Sequence, residues 1–207
     1  MRKFTLALKI TFSISFCIIL FSFSSHWINV EYFTKEFTLT FYPKQKLNDL
    51  ILISVKQQRL YLLSDYAVKK EYPISTSKYG IGSTPGSYRT PVGLFEIPSM
   101  HGDKEPVGRV FVNAEATKGI AAIYVDSTDV DEDKVLTRVI KLRGLENGIN
   151  TGPGYNTYSR KIYIHGTPEE GLVGIPASHG CIRMLNHDVI DLFDRINPNF
   201  KVLIVKQ

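Results

Sequence analysis

Leu50-Ile51-Leu52-Ile53-Ser54-Val55, then Lys56-Gln57-Gln58, then Arg59-Leu60-Tyr61-Leu62-Leu63, is the stretch that sets the fold class. Two runs of branched and aromatic apolar residues around a short polar turn read as an antiparallel β-hairpin. Similar short runs, bounded by Gly, Pro, Asp or Ser, follow at Val68–Ile74, Gly93–Ile97, Arg109–Asn113, Ala121–Val125, Arg138–Leu142, Lys161–Ile164 and Val202–Val205. The pattern predicts a mainly β domain, a β-rich α+β fold, running from residue 47 to the end. One helix is marked before the last strand. Asn186 is placed as its N-cap, Asp188 in its first turn, and Val189, Leu192, Phe193 and Ile196 recur at helical spacing before Asn197-Pro198 ends it.

Upstream, Met1-Arg2-Lys3 is basic and an apolar stretch runs from Ile10 through Phe23. That combination is the pattern of an export signal over residues 1–25. Its core of about 15 residues is short for a span, which favours a signal peptide. No A-x-A-like site follows it, so an N-terminal membrane anchor stays open. Cys17 lies inside the segment and reads as a small apolar residue there. Residues 26–46 carry Tyr32, Phe33, Phe37, Phe41 and Tyr42, which fits either a packed lead-in or a membrane-proximal stalk.

The chain has 25 Lys and Arg against 20 Asp and Glu, and three of the positives (Arg2, Lys3, Lys9) belong to the leader. The remainder is nearly balanced, which argues against nucleic acid as a partner. Once the chain is exported, Cys181 has no second cysteine to pair with. A lone exported thiol points to chemistry.

Cys181 sits in the run Ser178-His179-Gly180-Cys181-Ile182-Arg183, and His165-Gly166-Thr167 precedes it. A thiol attacks carbonyls as its thiolate, so it needs a base. His165 ends an alternating strand just before a glycine turn and is assigned as that base; His179, two residues before the thiol, is the competitor. Around Gly180 the amides of His179, Gly180 and Cys181 are expected to converge into an oxyanion site. Ser178 reads as a hydroxyl that bonds the turn. Arg183 reads equally as a clamp for a substrate carboxylate or as a salt bridge locking the loop, with Asp188 the nearest candidate partner. Zinc held by His165, His179 and Cys181, with His101, is disfavoured by the spacing, so no metal is expected. His26 and His187 read as surface or capping residues. The glycine-rich loops at Lys78–Ser87 and Asn150–Gly154 allow sharp turns and close backbone approach.

The run His-Gly-Thr … Ser-His-Gly-Cys-Ile-Arg resembles the signature of the L,D-transpeptidase (YkuD-type) family. Gly80-Ile81-Gly82-Ser83-Thr84-Pro85-Gly86 and Thr90-Pro91-Val92-Gly93-Leu94-Phe95 are similar to its second landmark. The resemblance covers about Leu50 to Gln207. It implies a β-sandwich-like catalytic domain in the periplasm or cell envelope, acting on peptidoglycan stem peptides without a cofactor. By that resemblance Cys181 attacks the bond between the L-centre of diaminopimelate and D-alanine, D-alanine leaves, and the thioester passes to an amine, giving a 3→3 crosslink. It also implies His165 as base, a backbone carbonyl near Gly166 as its orienter, amides of the 179–181 loop as oxyanion donors, and Thr167, Ser178 and Arg183 as orienting or substrate-binding residues. Hydrolysis of the thioester, making an L,D-carboxypeptidase, is the nearest alternative. Attachment or release of an outer-membrane lipoprotein and a non-catalytic wall-binding module are others. The long stretch from Ser99 to Arg160 exceeds what a minimal domain needs and is expected to shape substrate access.

Overall fold

The computed structural model of the protein describes residues 29–130 and 132–207. The basic leader, the apolar stretch, Cys17 and His26 lie outside the described residues. A helix over residues 29–41, α1, leads into strands β1 (Leu50–Ser54), β2 (Arg59–Ser64), β3 (Ala67–Ser75), β4 (Gly93–Glu96), β5 (Met100–His101) and β6 (Arg109–Val112). Strands β7 (Glu115–Ile120), β8 (Val135–Lys141), β9 (Arg143–Gly144), β10 (Tyr163–Gly166) and β11 (Ile182–Met184) follow, then helix α2 (Asn186–Arg195) and strand β12 (Lys201–Val205).

The strands form a path β7-β6-β8-β10-β11-β3-β2-β1-β12-β4-β9, with β5 beside β8. Strand β3 belongs to both halves. Its residues from Ala67 to Pro73 pair with β2, while Ile74 and Ser75 pair with β11. Two pairings are parallel, β1 with β12 and β10 with β11, and the rest are antiparallel.

The hairpin expected from the sequence is present, with Leu50 opposite Leu63 and Ser54 opposite Arg59. Its unbroken apolar run is explained by burial on both faces. Ile51 and Ile53 enter the main core with Val202, Ile204, Ile164, Ile182, Met184 and the α2 residues Val189 and Leu192. Leu50 and Leu52 enter a second cluster with Leu203, Val205 and Val30, against which Phe33 and Phe37 pack. Alternate side chains of one strand thus feed two cores.

Residues 29–41 of the lead-in pack against that second core. Val30, Thr34 and Thr38 are buried and Phe33 and Phe37 pack beside them, a helical stripe. Threonines, phenylalanines and a valine are modest helix formers, so propensity alone does not mark this helix. Thr34 and Thr38 donate their hydroxyls to the carbonyls one turn back, Val30 and Thr34, at 2.6 and 2.8 Å, which keeps both polar groups satisfied in the buried stripe. No helix among the described residues is long and apolar enough to cross a membrane.

Three other local expectations differ from the structure. Ala121–Val125 is not a strand; the hairpin partner of β6 is the polar run Glu115–Ile120, and only Tyr124 makes an isolated bridge, to Glu169. Asn186 is not a cap but the first residue of α2, with Leu185 at the cap position. Its side chain is fully buried and donates to the Thr167 carbonyl at 2.8 Å and Glu170 at 2.7 Å while accepting from Thr137. Arg183 pairs with Asp133 and Glu169 rather than Asp188.

Leu203 is fully buried at the middle of the α1-facing core. Leu203→Ala is expected to destabilise the fold by about 2–5 kcal/mol. Urea unfolding should show it as a lowered midpoint with an unchanged slope.

Candidate active site

Strands β10 and β11 pair in parallel with Ile164 opposite Ile182 and His165 opposite Arg183. Ile164 and Ile182 point into the main core, so the period of two turns Tyr163, His165, Cys181 and Arg183 to the other face. There Tyr163, Val139, Phe111 and Ala114 form a small apolar cluster against which Cys181 packs. The thiol is partly exposed and lies 3.4 Å from the Lys161 carbonyl.

His165 is fully buried. Its Nδ1 is 2.7 Å from the carbonyl of Gly166. A carbonyl can only accept, so Nδ1 carries the proton and Nε2 presents a lone pair. Nε2 has no hydrogen-bond partner among the described residues. A buried nitrogen with a free lone pair, on the strand next to the one that Cys181 leads into, is a candidate base. Gly166 is required here: a Cβ would collide with Asn186 Oδ1 and stand 3.0 Å from the Leu136 carbonyl. A register shift in the β10–β8 pairing falls between His165 and Gly166, and Thr137 on β8 has a left-handed φ of 68°.

Burial, with the Asp133 carboxylate adding to it, pushes the Cys181 thiol up to about 12; the Tyr163 amide, Arg183 and Arg160 pull the other way. Burial also lowers the His165 imidazole below its ordinary value, against opposing pulls from Asp133 and the Gly166 carbonyl. Both shifts favour the neutral thiol and neutral imidazole over a thiolate–imidazolium pair.

The loop that carries Cys181 is stapled from beneath. Ser178 is fully buried, donates to the Cys181 carbonyl at 2.6 Å and accepts from the Gly180 amide at 3.2 Å. Thr90 Oγ1 donates to the Gly180 carbonyl at 3.1 Å, and Lys78 N donates to Ser178 O at 3.1 Å. The first glycine-rich loop therefore supports the thiol loop directly. The second does not reach it: Asn150 is buried against β4, donating to the carbonyls of Val92 and Leu94 at 3.1 Å each.

Two residues not singled out in the sequence enter the site. Asp133 Oδ2 accepts from the His179 amide at 2.9 Å, and Oδ1 accepts from Arg183 Nε at 2.8 Å. Burial would raise this carboxyl, but His165, Arg183 and the His179 amide hold it below the usual carboxylate range. Arg183 is itself buried and also pairs with the fully buried Glu169. Its Nε and Nη1 are thereby engaged by protein carboxylates. Arg160 donates to the carbonyls of Gly82 and Arg89 at 3.2 and 2.7 Å and places a cation near Cys181. Thr167 is buried and accepts from the Glu169 amide at 3.2 Å. His101 lies on β5 with Nε2 2.9 Å from Ser99 Oγ, and among the described residues no group of three or more His, Cys, Asp or Glu is arranged to hold a metal.

The family model of the L,D-transpeptidase catalytic domain, YkuD, matches residues 48–204, well over half of the chain. The chain belongs to the YkuD family.

Among solved structures, an L,D-transpeptidase from Xylanimonas cellulosilytica matches at 17% identity and a TM-score of 0.48, over 79% of this chain and 63% of that one. One from Mycobacterium tuberculosis matches at 15% and 0.47, over 75% and 57%. One from Enterococcus faecium, a mutant, matches at 17% and 0.43, over 76% and 50%. The chain thus spans between half and two thirds of each of these. No curated protein sequence matches it at a significant level.

Neither Asp133 nor Arg160 of this YkuD domain sits in a short motif, so only spacing in three dimensions reveals them. The sole sequence signal for Asp133 was the length of the 99–160 segment that carries it.

With the thiol held neutral, site-resolved alkylation of Cys181 by iodoacetamide should keep accelerating as pH rises beyond 9, with no plateau near neutrality. Asp133→Asn removes the charge that adds to the thiol's upward shift. Its alkylation profile should move to lower pH, with a several-fold faster rate at fixed pH.

Proposed function

We propose that the protein is an exported peptidoglycan L,D-transpeptidase that works through a thioester on Cys181. The observation that carries this reading is the buried His165, locked by Gly166 so that a free Nε2 faces the same side of the sheet as Cys181, the residue that leads into the neighbouring parallel strand. Membership of the YkuD family supplies the reaction class. The basic leader and apolar stretch support export.

In this reading the donor is a tetrapeptide stem, bound with the carbonyl between the L-centre of diaminopimelate and D-alanine beside Cys181. Sγ attacks that carbon while its proton passes to His165 Nε2, so the neutral pair becomes charged only as the C–S bond forms. The carbonyl oxygen becomes an oxyanion, and the 179–181 loop offers it backbone donors. In the resting arrangement the His179 amide is held by Asp133 and the Gly180 amide by Ser178, so the substrate's oxygen takes over donors that the protein itself occupies. Collapse breaks the C–N bond, and the imidazolium returns its proton to the departing D-alanine amine. An acceptor amine then attacks the thioester, Nε2 takes the amine's proton, and collapse regenerates the thiol. Bonds and protons balance with no cofactor in the cycle.

Arg183 acts in this scheme as the residue that fixes Asp133 and Glu169, and so the loop, rather than as a substrate clamp. Thr167 and Ser178 hold the backbone on either side.

The test is incubation of the protein with disaccharide-tetrapeptide and mass spectrometry of the products. A dimer lighter by D-alanine, absent with Cys181→Ala and reduced by about 100-fold or more with His165→Ala, is the expected result. Tripeptide alone would replace transpeptidation with L,D-carboxypeptidase activity, and no Cys181-dependent product from the folded protein would refute the enzyme reading.

A further inference from the structure

Beside the thiol loop lies a group of exposed rings that the proposed chemistry does not use. Tyr79 and Tyr88 are 49% and 58% exposed. The Tyr79 ring stacks near-parallel on His179 at 5.9 Å, the Tyr88 ring meets His179 edge-on at 5.8 Å, and the two tyrosines are 6.0 Å apart. His179 precedes Cys181 by two residues, so the rings form the rim of the site.

The rings are built into place. Ser77, which is buried, donates its hydroxyl to the Tyr88 carbonyl at 2.5 Å and accepts from the Tyr79 amide at 3.0 Å. One side chain therefore sets both tyrosine backbones. Tyr88 has a left-handed φ of 56°, a conformation unfavourable for a bulky residue and held only because its surroundings determine it. Gly180 fits against the same backbone: a Cβ there would stand 3.4 Å from the Tyr88 carbonyl and 3.3 Å from that of Arg89.

The charge around the rings narrows what they can bind. Lys78 lies 6.0 Å from the Tyr79 ring centre but pairs with Asp129 at 3.7 Å. His179 Nδ1 is 3.5 Å from Asp133, and the Arg89 stem is laid over Gly82. The platform thus offers flat apolar faces and two phenol hydroxyls, neither of which has a partner among the described residues, while Lys78 and His179 beside it face carboxylates. A neutral ring with a C–H face and a hydroxyl rim, which is a pyranose, fits both features.

We propose that Tyr79 and Tyr88, backed by His179, are a stacking platform for an amino-sugar ring of the glycan that carries the stem peptide. The inference rests on the proposed reading of the site and names the sugar-bearing part of the same substrate. Three extended residues separate the scissile carbonyl from the sugar, a span of about 10 Å. The rings lie a further aromatic layer out from His179.

The test compares kcat/KM for disaccharide-tetrapeptide with that for the same tetrapeptide lacking sugars. The wild type is expected to favour the sugar-bearing donor by about five- to tenfold. Tyr79→Ala with Tyr88→Ala should bring that ratio close to one, while Tyr79→Phe with Tyr88→Phe should keep it, because the ratio cancels any general loss of folded enzyme. A wild-type ratio near one, or an unchanged ratio in the double alanine variant, overturns the proposal. If neither donor gives a Cys181-dependent product, the transpeptidase reading has failed instead. The platform is then decided by titrating the Cys181→Ala protein with an N-acetylglucosamine tetramer and following the tyrosine NMR signals. Saturable shifts, lost in the double alanine background, uphold it, and a flat titration overturns it.

Discussion

The parallel pairing of β10 with β11 is the constraint on which the site depends. Because Ile164 and Ile182 are opposite each other and buried in the main core, a slip of one residue in either strand would drive His165 or Cys181 into apolar packing. The core therefore sets the register, and the register sets the chemistry. Parallel neighbours also require a crossover, and here it runs from Thr167 to Cys181. That crossover holds Glu169, Ser178 and His179, so the connection between the strands is itself the wall of the site.

A buried guanidinium organises that wall. Arg183 is held by Glu169 from within the crossover and by Asp133 from the distant 99–160 segment. A pair taken from water gains little net stability, yet removing one partner leaves a buried charge uncompensated and is strongly destabilising. The arrangement is thus better understood as a lock on geometry than as a source of stability. It also explains why the long segment matters to the site: it brings in the carboxylate that touches Arg183, the His179 amide and the electrostatic surroundings of His165.

What was legible in the sequence was whatever local pattern determines. The β1–β2 hairpin, β12 and the apolar stripe of α2 follow from side-chain periodicity, because those side chains meet a core on the expected period. The short strands β9 and β11 gave no pattern, since two or three residues cannot show one. Glu115–Ile120 is mostly exposed, so its pairing with β6 leaves no apolar signature, whereas the apolar look of Ala121–Val125 reflects a segment that runs on without a ladder partner. Asn186 misled for a different reason: a residue type that favours caps was used here as a buried crosslink between α2, the 167 turn and β8. His165 and Cys181 stood out as candidates for chemistry because glycines and a second histidine crowd the same motif. Asp133 and Arg160 act only through tertiary placement.

Asp133 bears on the two halves of the proposed proton transfer in opposite directions. Its charge disfavours a thiolate on Cys181 and favours an imidazolium on His165. For a step that creates both at once, the two effects offset, so the carboxylate can sit close to the pair without deciding whether the proton moves. What it does decide is the state of the His179 amide, which it occupies at 2.9 Å. A substrate oxygen that gains charge during attack competes for that donor better than a neutral carbonyl does, because a hydrogen bond to an ionised acceptor is about twice as strong as a neutral one. In the proposed cycle the exchange of Asp133 for the oxyanion is therefore most favourable at the transition state rather than in the bound ground state. Interactions with that property accelerate the chemical step instead of merely tightening substrate binding.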